Sequence, residues 1–169
     1  MLHSVHMLST ITLRPPRPGD LGWIIHRHGA IYAEEYGWDW RFEGLVAEIC
    51  AQFITNFDPA KERCWIAERD GKIVGSIFLA KESDSTAKLR LLYVEAETRG
   101  TGLGTRLIEE CLSFARESGY ERVTLWTNSI LTTARRLYEK AGFRLVREES
   151  YENFGKQHVT QVWELKLTD

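Results

Sequence analysis

A short glycine-rich segment has the residue types and spacing that most directly indicate chemistry. It reads Arg99, Gly100, Thr101, Gly102, Leu103, Gly104 and Thr105, between a strand-like apolar run and a helix-like one. Glycines at alternate positions let backbone N–H groups turn inward and approach a ligand, because no Cβ blocks them. The positive end of the helix and the Arg99 guanidinium also favour negative charge. The segment is therefore predicted to bind an anion such as phosphate.

The spacing excludes two common phosphate-binding motifs. A Walker loop needs Lys-Ser or Lys-Thr after its last glycine, whereas Gly104 is followed by Thr105-Arg106. The dinucleotide fingerprint G-x-G-x-x-G lies early in a βαβ unit, whereas these glycines fall as G-x-G-x-G deep in the chain. A strand-to-helix turn that binds no ligand is the alternative interpretation.

The elements that must position this segment follow from hydrophobic periodicity. Helices are predicted at 20–36, with Asp20 as N-cap, and at 42–53, 105–117 and 130–141. Strands are predicted at 11–14, 64–68, 72–79, 89–94, 123–126, 143–146 and 159–167. Asp70-Gly71 is a strong hairpin signal between two of these strands. The order β-α-α-β-β-β-α-β-α-β-β predicts an α+β fold, one mixed sheet covered by helices.

Three stretches together resemble the GNAT family of N-acetyltransferases, which hold acetyl-coenzyme A (acetyl-CoA). They are the loop from Arg99 to Gly104, the strand before it, and the segment from Ala134 to Phe143. In the last segment, Ala134 is followed four residues later by Tyr138 and then by Gly142-Phe143. The resemblance implies a GNAT-like, mostly antiparallel central sheet with flanking helices. We expect a disordered lead-in over residues 1–9 and a single acetyltransferase domain over residues 10–169.

The resemblance also implies where acetyl-CoA binds. Its pyrophosphate would lie on the loop that begins at Arg99 and ends at Thr105. The amides of its pantetheine arm would pair with strand backbone at Leu92, Tyr93 and Val94.

Two further positions follow from the same resemblance. Tyr138 would lie near the sulfur and protonate the leaving thiolate, although a core tyrosine would give the same pattern. Many family members have an asparagine three residues before the alanine of the last motif, where this chain has Leu131. Asn128 is the nearest asparagine, and it would either hold the cofactor or serve as a turn or cap residue.

The acceptor site is predicted near the junction of the first two helices, which usually line the acceptor cleft in this family. The segment from Tyr32 to Trp40 is rich in aromatic and acidic residues, which suits a cationic amine. Within the acidic and aromatic cluster at 34–40, Glu35 is the predicted base or amine anchor, because a protonated amine must lose a proton before attack. The alternative is a solvated helix end with tryptophans packed on the sheet. The stretch from His26 to Trp38 further resembles the acetyltransferase half of bacterial proteins that fuse a MarR-type regulator to a GNAT domain.

Composition narrows the class of protein. A net charge of −2 over 169 residues gives no broad basic face for nucleic acid, and no apolar run approaches membrane-spanning length. The N-terminus does not resemble a secretory signal. Three cysteines among apolar neighbours favour buried thiols in a reducing cytoplasm. No metal site is expected, since His26 and His28 fall on different helix faces.

Together these features predict a cytoplasmic bacterial enzyme that moves the acetyl group of acetyl-CoA to a primary amine of a small molecule, a lysine or an N-terminus. Transfer is expected to be direct, because no cysteine lies in the motifs. Homodimerisation is left open. The alternatives are a non-catalytic acyl-CoA sensor that regulates a partner, and transfer of a longer acyl group.

Overall fold

The computed structural model describes residues 10–168, so the predicted disordered lead-in over residues 1–9 lies outside the described residues. The predicted order of helices and strands is confirmed. In chain order the elements are β1 (Thr12–Arg14), α1 (Asp20–Tyr36), α2 (Trp40–Thr55), β2 (Arg63–Arg69), β3 (Lys72–Lys81), β4 (Thr86–Val94), α3 (Leu103–Glu117), β5 (Arg122–Asn128), α4 (Thr132–Ala141), β6 (Arg144–Asn153) and β7 (Lys156–Lys166).

One seven-stranded sheet organises these elements, in the order β1-β2-β3-β4-β5-β7-β6. Every neighbouring pair is antiparallel except β4 and β5, which run parallel. The predicted hairpin at Asp70-Gly71 is present, and both residues have positive φ, as a type I′ turn requires. The sheet is therefore mixed and mostly antiparallel, as expected.

The parallel pair β4 and β5 separates halfway along its length. The two strands pair from Thr86 to Leu89 and, within residues 10–168, no further β4–β5 pairs follow. A bulge in β4 lies at this point, where Leu91 has a φ of 51° that a branched side chain rarely adopts. The Ser76 hydroxyl donates to the Leu91 carbonyl at 3.2 Å and supports the bulge. Past the bulge, β4 pairs with β3 on one edge and faces an open gap on the other.

Two hydrophobic clusters cover the two faces of the sheet. One packs α3 and α4 against the central strands around Leu107, Val123 and Leu125, and the other packs α1 and α2 around Ile24 and Phe78. The predicted burial of the cysteines is confirmed, since Cys50, Cys64 and Cys111 are free and buried. Burial raises the pKa of all three thiols.

Several predicted boundaries are wrong for local reasons. Gly19, with a φ of 96°, is the N-cap of α1, while the Asp20 carboxylate accepts from the Arg17 backbone N–H at 2.6 Å and from Arg14. The strand β6 extends to Asn153, well past the predicted 146. Its exposed polar residues hide it from a hydrophobic pattern, and its pairing with β7 is what forms it.

The helices described between residues 10 and 168 include none with the length and hydropathy of a membrane span.

Candidate functional site

Three glycines shape the loop between β4 and α3 in two different ways. Gly100 and Gly102 both have a φ of 83°, and a Cβ at either position would contact nothing within 4 Å. These two positions therefore require glycine for backbone conformation. At Gly104 a Cβ would lie 2.7 Å from Leu137 Cδ1, so glycine there allows α4 to pack on the first turn of α3.

The loop leaves several backbone N–H groups without an acceptor. The Leu103 N–H reaches the Thr101 hydroxyl at 3.4 Å, and that hydroxyl donates to the Thr98 carbonyl at 2.6 Å. In the described part of the chain, four other N–H groups have no hydrogen-bond partner: those of Gly100 and Gly102 in the loop, and those of Gly104 and Thr105 in the first turn of α3. Together with the positive end of the α3 dipole, they make an anion site.

These four residues line a cavity of about 350 Å³, the first cavity, which continues along β4 towards the start of α4. It contains most of the residues predicted to bind the cofactor, namely Leu92, Tyr93, Val94, Arg99, Gly100, Gly102, Leu103, Gly104 and Thr105. Two predicted residues are not in its lining. Thr101 uses its hydroxyl inside the loop, and Asn128 lies in the second cavity described below.

Glu35 also lines the first cavity, on the side of α1. Its carboxylate lies 3.8 Å from the Arg99 guanidinium, and the two side chains are 38% and 55% exposed. An ion pair this exposed contributes about 1 kcal/mol or less to stability. Arg99 can therefore replace the Glu35 carboxylate with another anion at little cost in free energy. Arg27 holds this part of α1 in place, with two nitrogens each 2.9 Å from the Glu95 carboxylate.

The acidic and aromatic cluster at 34–40 does not form one surface. Trp38 is 5% exposed and packs among Phe42 and His158, while Trp40 is 86% exposed. Asp39 pairs with Arg41 at 2.6 Å. The end of α1 and the start of α2 turn these side chains in different directions, so only part of the predicted acceptor cluster reaches a cavity.

A second cavity of about 420 Å³ lies on the other side of the gap between β4 and β5. Its walls come from α1, α2, β4, β5, α4 and the β6–β7 hairpin, and many are aromatic. The two cavities share four lining residues, Tyr32, Leu92, Leu131 and Ala134. They therefore meet where the sheet separates.

Tyr138 lines the second cavity and is 5% exposed. Its ring packs edge-on against Phe143, with centroids 5.9 Å apart. Among the described residues, none forms a hydrogen bond that affects the pKa of its hydroxyl. Burial raises the pKa of Tyr138, and neighbouring Tyr32 and Cys111 add to that rise. The side chain is therefore a neutral phenol with a proton to donate.

Asn128 is held by His158, a residue that sequence reasoning missed. His158 Nε2 lies 2.6 Å from the Asn153 carbonyl, which only accepts, so Nε2 carries the proton. Nδ1 then accepts from the Asn128 amide at 2.6 Å, and Asn128 Oδ1 accepts from the Ile130 N–H at 3.2 Å. Asn128 thus acts as a turn residue, which was one of the two roles considered for it from the sequence. Its side chain also lines the second cavity.

His28 contributes an acceptor to the second cavity. Its Nδ1 donates to the Ile24 carbonyl at 2.8 Å, which leaves Nε2 as a lone-pair acceptor. Burial lowers the pKa of His28 to about 4, so the ring is neutral at pH 7. Its spacing of four residues from Ile24 and from Tyr32 marks a buried helix face, and this signal could have identified it.

The charged lining of the second cavity was also missed. Glu48, Lys88 and Arg90 come from α2 and β4, two elements that the sequence does not bring together. No sequence pattern distinguished Arg90 from an ordinary solvent-facing strand residue. No group of three or more His, Cys, Asp or Glu among residues 10–168 could hold a metal ion.

The arrangement can hold two molecules at once. One end of the first cavity suits an anion, the free edge of β4 can pair with an extended amide chain, and a neutral proton donor lines the second cavity. The junction allows a group on one molecule to reach the other. This geometry fits group transfer between two bound substrates.

Comparison with known sequences supports this interpretation. A profile of the acetyltransferase (GNAT) family matches residues 26–143. A probable N-acetyltransferase camello of Xenopus tropicalis is 30% identical over 132 residues, which cover 74% of this chain and 60% of the relative. An N-acetylaspartate synthetase of Danio rerio is 35% identical over 104 residues, which cover 61% of this chain and 36% of the relative. The chain thus spans about 60% or less of the length of these relatives.

Solved structures share the fold. A putative acetyltransferase from Salmonella typhimurium, solved with its cofactor acetyl-CoA, has a TM-score of 0.73 at 18% identity, covering 94% of this chain and 95% of its own. The ribosomal-protein-S18-alanine N-acetyltransferase from Escherichia coli has a TM-score of 0.70 at 18% identity, covering 95% and 96%.

Proposed function

This chain belongs to the acetyltransferase (GNAT) family, and we propose that it moves the acetyl group of acetyl-CoA directly to a primary amine. The amine is carried by a small molecule, a lysine or an N-terminus. The observation that carries the proposal is the junction of the two cavities at the gap between β4 and β5. It lets a thioester held on one side meet an amine held on the other.

The first cavity suits acetyl-CoA residue by residue. The open N–H groups from Gly100 to Thr105 would hold the pyrophosphate, with Arg99 as an additional donor. The free edge of β4 at Leu92, Tyr93 and Val94 would pair with the pantetheine amides. Acetyl-CoA supplies the activated thioester, and this chain supplies its position.

Tyr138 is our proposed proton donor to the departing sulfur. Proton transfer from a phenol of ordinary pKa to a thiolate of pKa ~8.5 is unfavourable by about 2 kcal/mol. Burial raises the pKa of Tyr138 and enlarges this difference. Proton transfer would therefore coincide with cleavage of the C–S bond rather than follow it.

Direct transfer is favoured by the positions of the cysteines. None of Cys50, Cys64 and Cys111 is among the described residues that line either cavity. Burial also raises the pKa of each thiol, which suppresses the thiolate that an acyl-enzyme would need. The amine would then attack the thioester without a covalent enzyme intermediate.

The proton on the amine needs an acceptor, for which Glu35 remains our prediction. Because Glu35 lies in the first cavity beside Arg99, this role requires the amine to reach across the junction. His28, which lines the second cavity, has an uncharged acceptor in its Nε2. Variants of Glu35 therefore test a specific placement of the amine.

The sequence supports three further proposals. They are a single acetyltransferase domain over residues 10–169, a bacterial cytoplasmic setting, and a relation to the acetyltransferase half of MarR–GNAT fusion proteins. We do not expect this chain to bind nucleic acid directly. The sequence does not decide between a monomer and a homodimer.

A turnover assay separates an enzyme from a non-catalytic acyl-CoA sensor. The purified chain is incubated with acetyl-CoA and a panel of amines, with thiol release and product mass as the readouts. We expect thiol release that depends on the amine, together with a product 42 Da heavier, the mass added by one acetyl group on any amine. Acetyl-CoA binding without release on any amine would contradict the proposal and favour the sensor.

A further inference from the structure

The charged groups of the second cavity restrict what it can hold. Its lining contains one carboxylate, from Glu48, and two basic side chains, from Lys88 and Arg90. Glu48 lies on the exposed side of α2, where Gln52 donates to it at 3.4 Å. The Lys88 ammonium lies 3.5 Å from the Glu82 carboxylate, so its charge already has a partner.

Arg90 differs from Lys88 in having no such partner. It is half-buried on β4, opposite Phe78 of β3, on the sheet face that α1 and α2 cover. Within residues 10–168, no carboxylate lies within salt-bridge distance of its guanidinium. Burial lowers the pKa of Arg90, and the more distant Glu82 only partly offsets this. A half-buried guanidinium gains most from a planar anion that binds two of its N–H groups.

Much of the rest of the cavity wall is apolar. Aromatic and aliphatic side chains line it alongside Arg90, including Leu45 and Ile49 of α2, Trp126 of β5 and Phe154 in the turn after β6. A ligand that satisfies Arg90 would therefore also bury a hydrophobic body. An inorganic anion could pair with Arg90, but it would leave the apolar part of this wall exposed to water.

We propose that the acceptor is an α-amino acid with a large apolar side chain, whose carboxylate pairs with Arg90 in the second cavity. This inference rests on the proposed function, since it names the acceptor of the same site. Arg90 fixes one end of the molecule, the aromatic wall takes the side chain, and the amino group is directed towards the junction with the first cavity. The bound carboxylate supplies the partner that Arg90 lacks.

Matched acceptors with and without the carboxylate test this assignment. The pairs are L-phenylalanine with phenethylamine, and L-leucine with 3-methylbutylamine. The wild-type chain is compared with Arg90→Gln for each acceptor. Differences in amine pKa between paired acceptors cancel when each acceptor is compared between the two proteins.

We expect Arg90→Gln to lower kcat/KM for the amino acids by about 10- to 100-fold, since a charge-assisted hydrogen bond is lost. The value for the decarboxylated amines should stay nearly unchanged. Arg90→Lys should recover part of the loss. Arg144→Gln, an exposed arginine of β6 outside both cavities, is the matched control.

The outcomes are distinguishable. Equal loss for both members of a pair, or a wild-type preference for the decarboxylated amines, overturns this inference and leaves the acetyltransferase proposal standing. Failure of every amine while acetyl-CoA still binds overturns both. Thermal unfolding checks each variant, and Arg90→Met, which keeps the apolar stem, replaces any Arg90→Gln protein that fails to fold.

Discussion

Replacement of Tyr138 by Phe is the sharpest perturbation of the proposed chemistry. The change keeps the ring that packs on Phe143 and removes only the hydroxyl. Among the described residues, no hydrogen bond to that hydroxyl affects its pKa, so its loss should leave no buried partner unsatisfied. The free energy of unfolding should therefore change by less than about 1 kcal/mol.

The effect on turnover should be much larger. General acid catalysis contributes roughly 10²- to 10⁴-fold, and water that enters the cavity can supply part of it. We expect kcat to fall about 10²-fold or more, equivalent to about 3 kcal/mol in the activation barrier. Acetyl-CoA affinity should be preserved, because the pyrophosphate and pantetheine contacts lie in the first cavity.

Tyr120→Phe is a matched control with the opposite expectation. Tyr120 is also buried, but its hydroxyl donates to the Lys61 carbonyl at 2.7 Å, and it lines neither cavity. Its loss should cost about 1 kcal/mol of stability and leave kcat unchanged. Single-turnover kinetics isolates the chemical step in both variants. If Tyr138→Phe keeps the wild-type single-turnover rate, Tyr138 is a core residue and the reasoning is refuted.

Three further predictions test the loop, the base and the buried histidine. Gly102→Val should weaken acetyl-CoA binding in a calorimetric titration. Gly19→Val is the control, because Gly19 is also a helix N-cap with positive φ and open space; it should lower stability by a similar amount and leave acetyl-CoA affinity intact. Equal affinities of the two variants would show that the phosphates bind elsewhere. Glu35→Gln should lower kcat/KM for the amine and move the acidic limb of its pH profile, and an unchanged profile, as expected for Glu34→Gln, would exclude Glu35 as the base. Because burial lowers the pKa of His28 to about 4 from 6.5, its contribution to stability is complete above pH 6.5 and is lost as pH falls towards 4. Chemical denaturation should show a loss of up to about 3 kcal/mol over that interval, absent in His28→Gln and retained in His26→Gln.

The fold was predictable because its signals are local. Asp70-Gly71 fixes a hairpin by turn chemistry, and the periodic apolar residues of α3 mark a helix regardless of what it packs on. The strand β6 shows the limit, since nine of its ten residues are exposed and it forms only through its pairing with β7. Such a strand carries no hydrophobic pattern of its own.

The two cavities likewise differ in how far the sequence predicts them. The anion site of the first cavity is one continuous loop, so Arg99, Gly100 and Gly102 could be assigned from spacing. The second cavity is assembled from elements far apart in the chain, and Arg90 and His158 reach it only through strand register. The predicted acidic and aromatic cluster was contiguous in sequence, but a helix end and a helix start scattered its side chains.

In the proposed reaction, acetyl-CoA and the amine occupy the two joined cavities together, and the acetyl group passes directly between them. Initial velocities measured while both substrates are varied test this most directly. We expect double-reciprocal lines that intersect, because both substrates must bind before thiol is released. Parallel lines, together with an acetylated protein in the absence of amine, would contradict it and require a covalent intermediate on the chain.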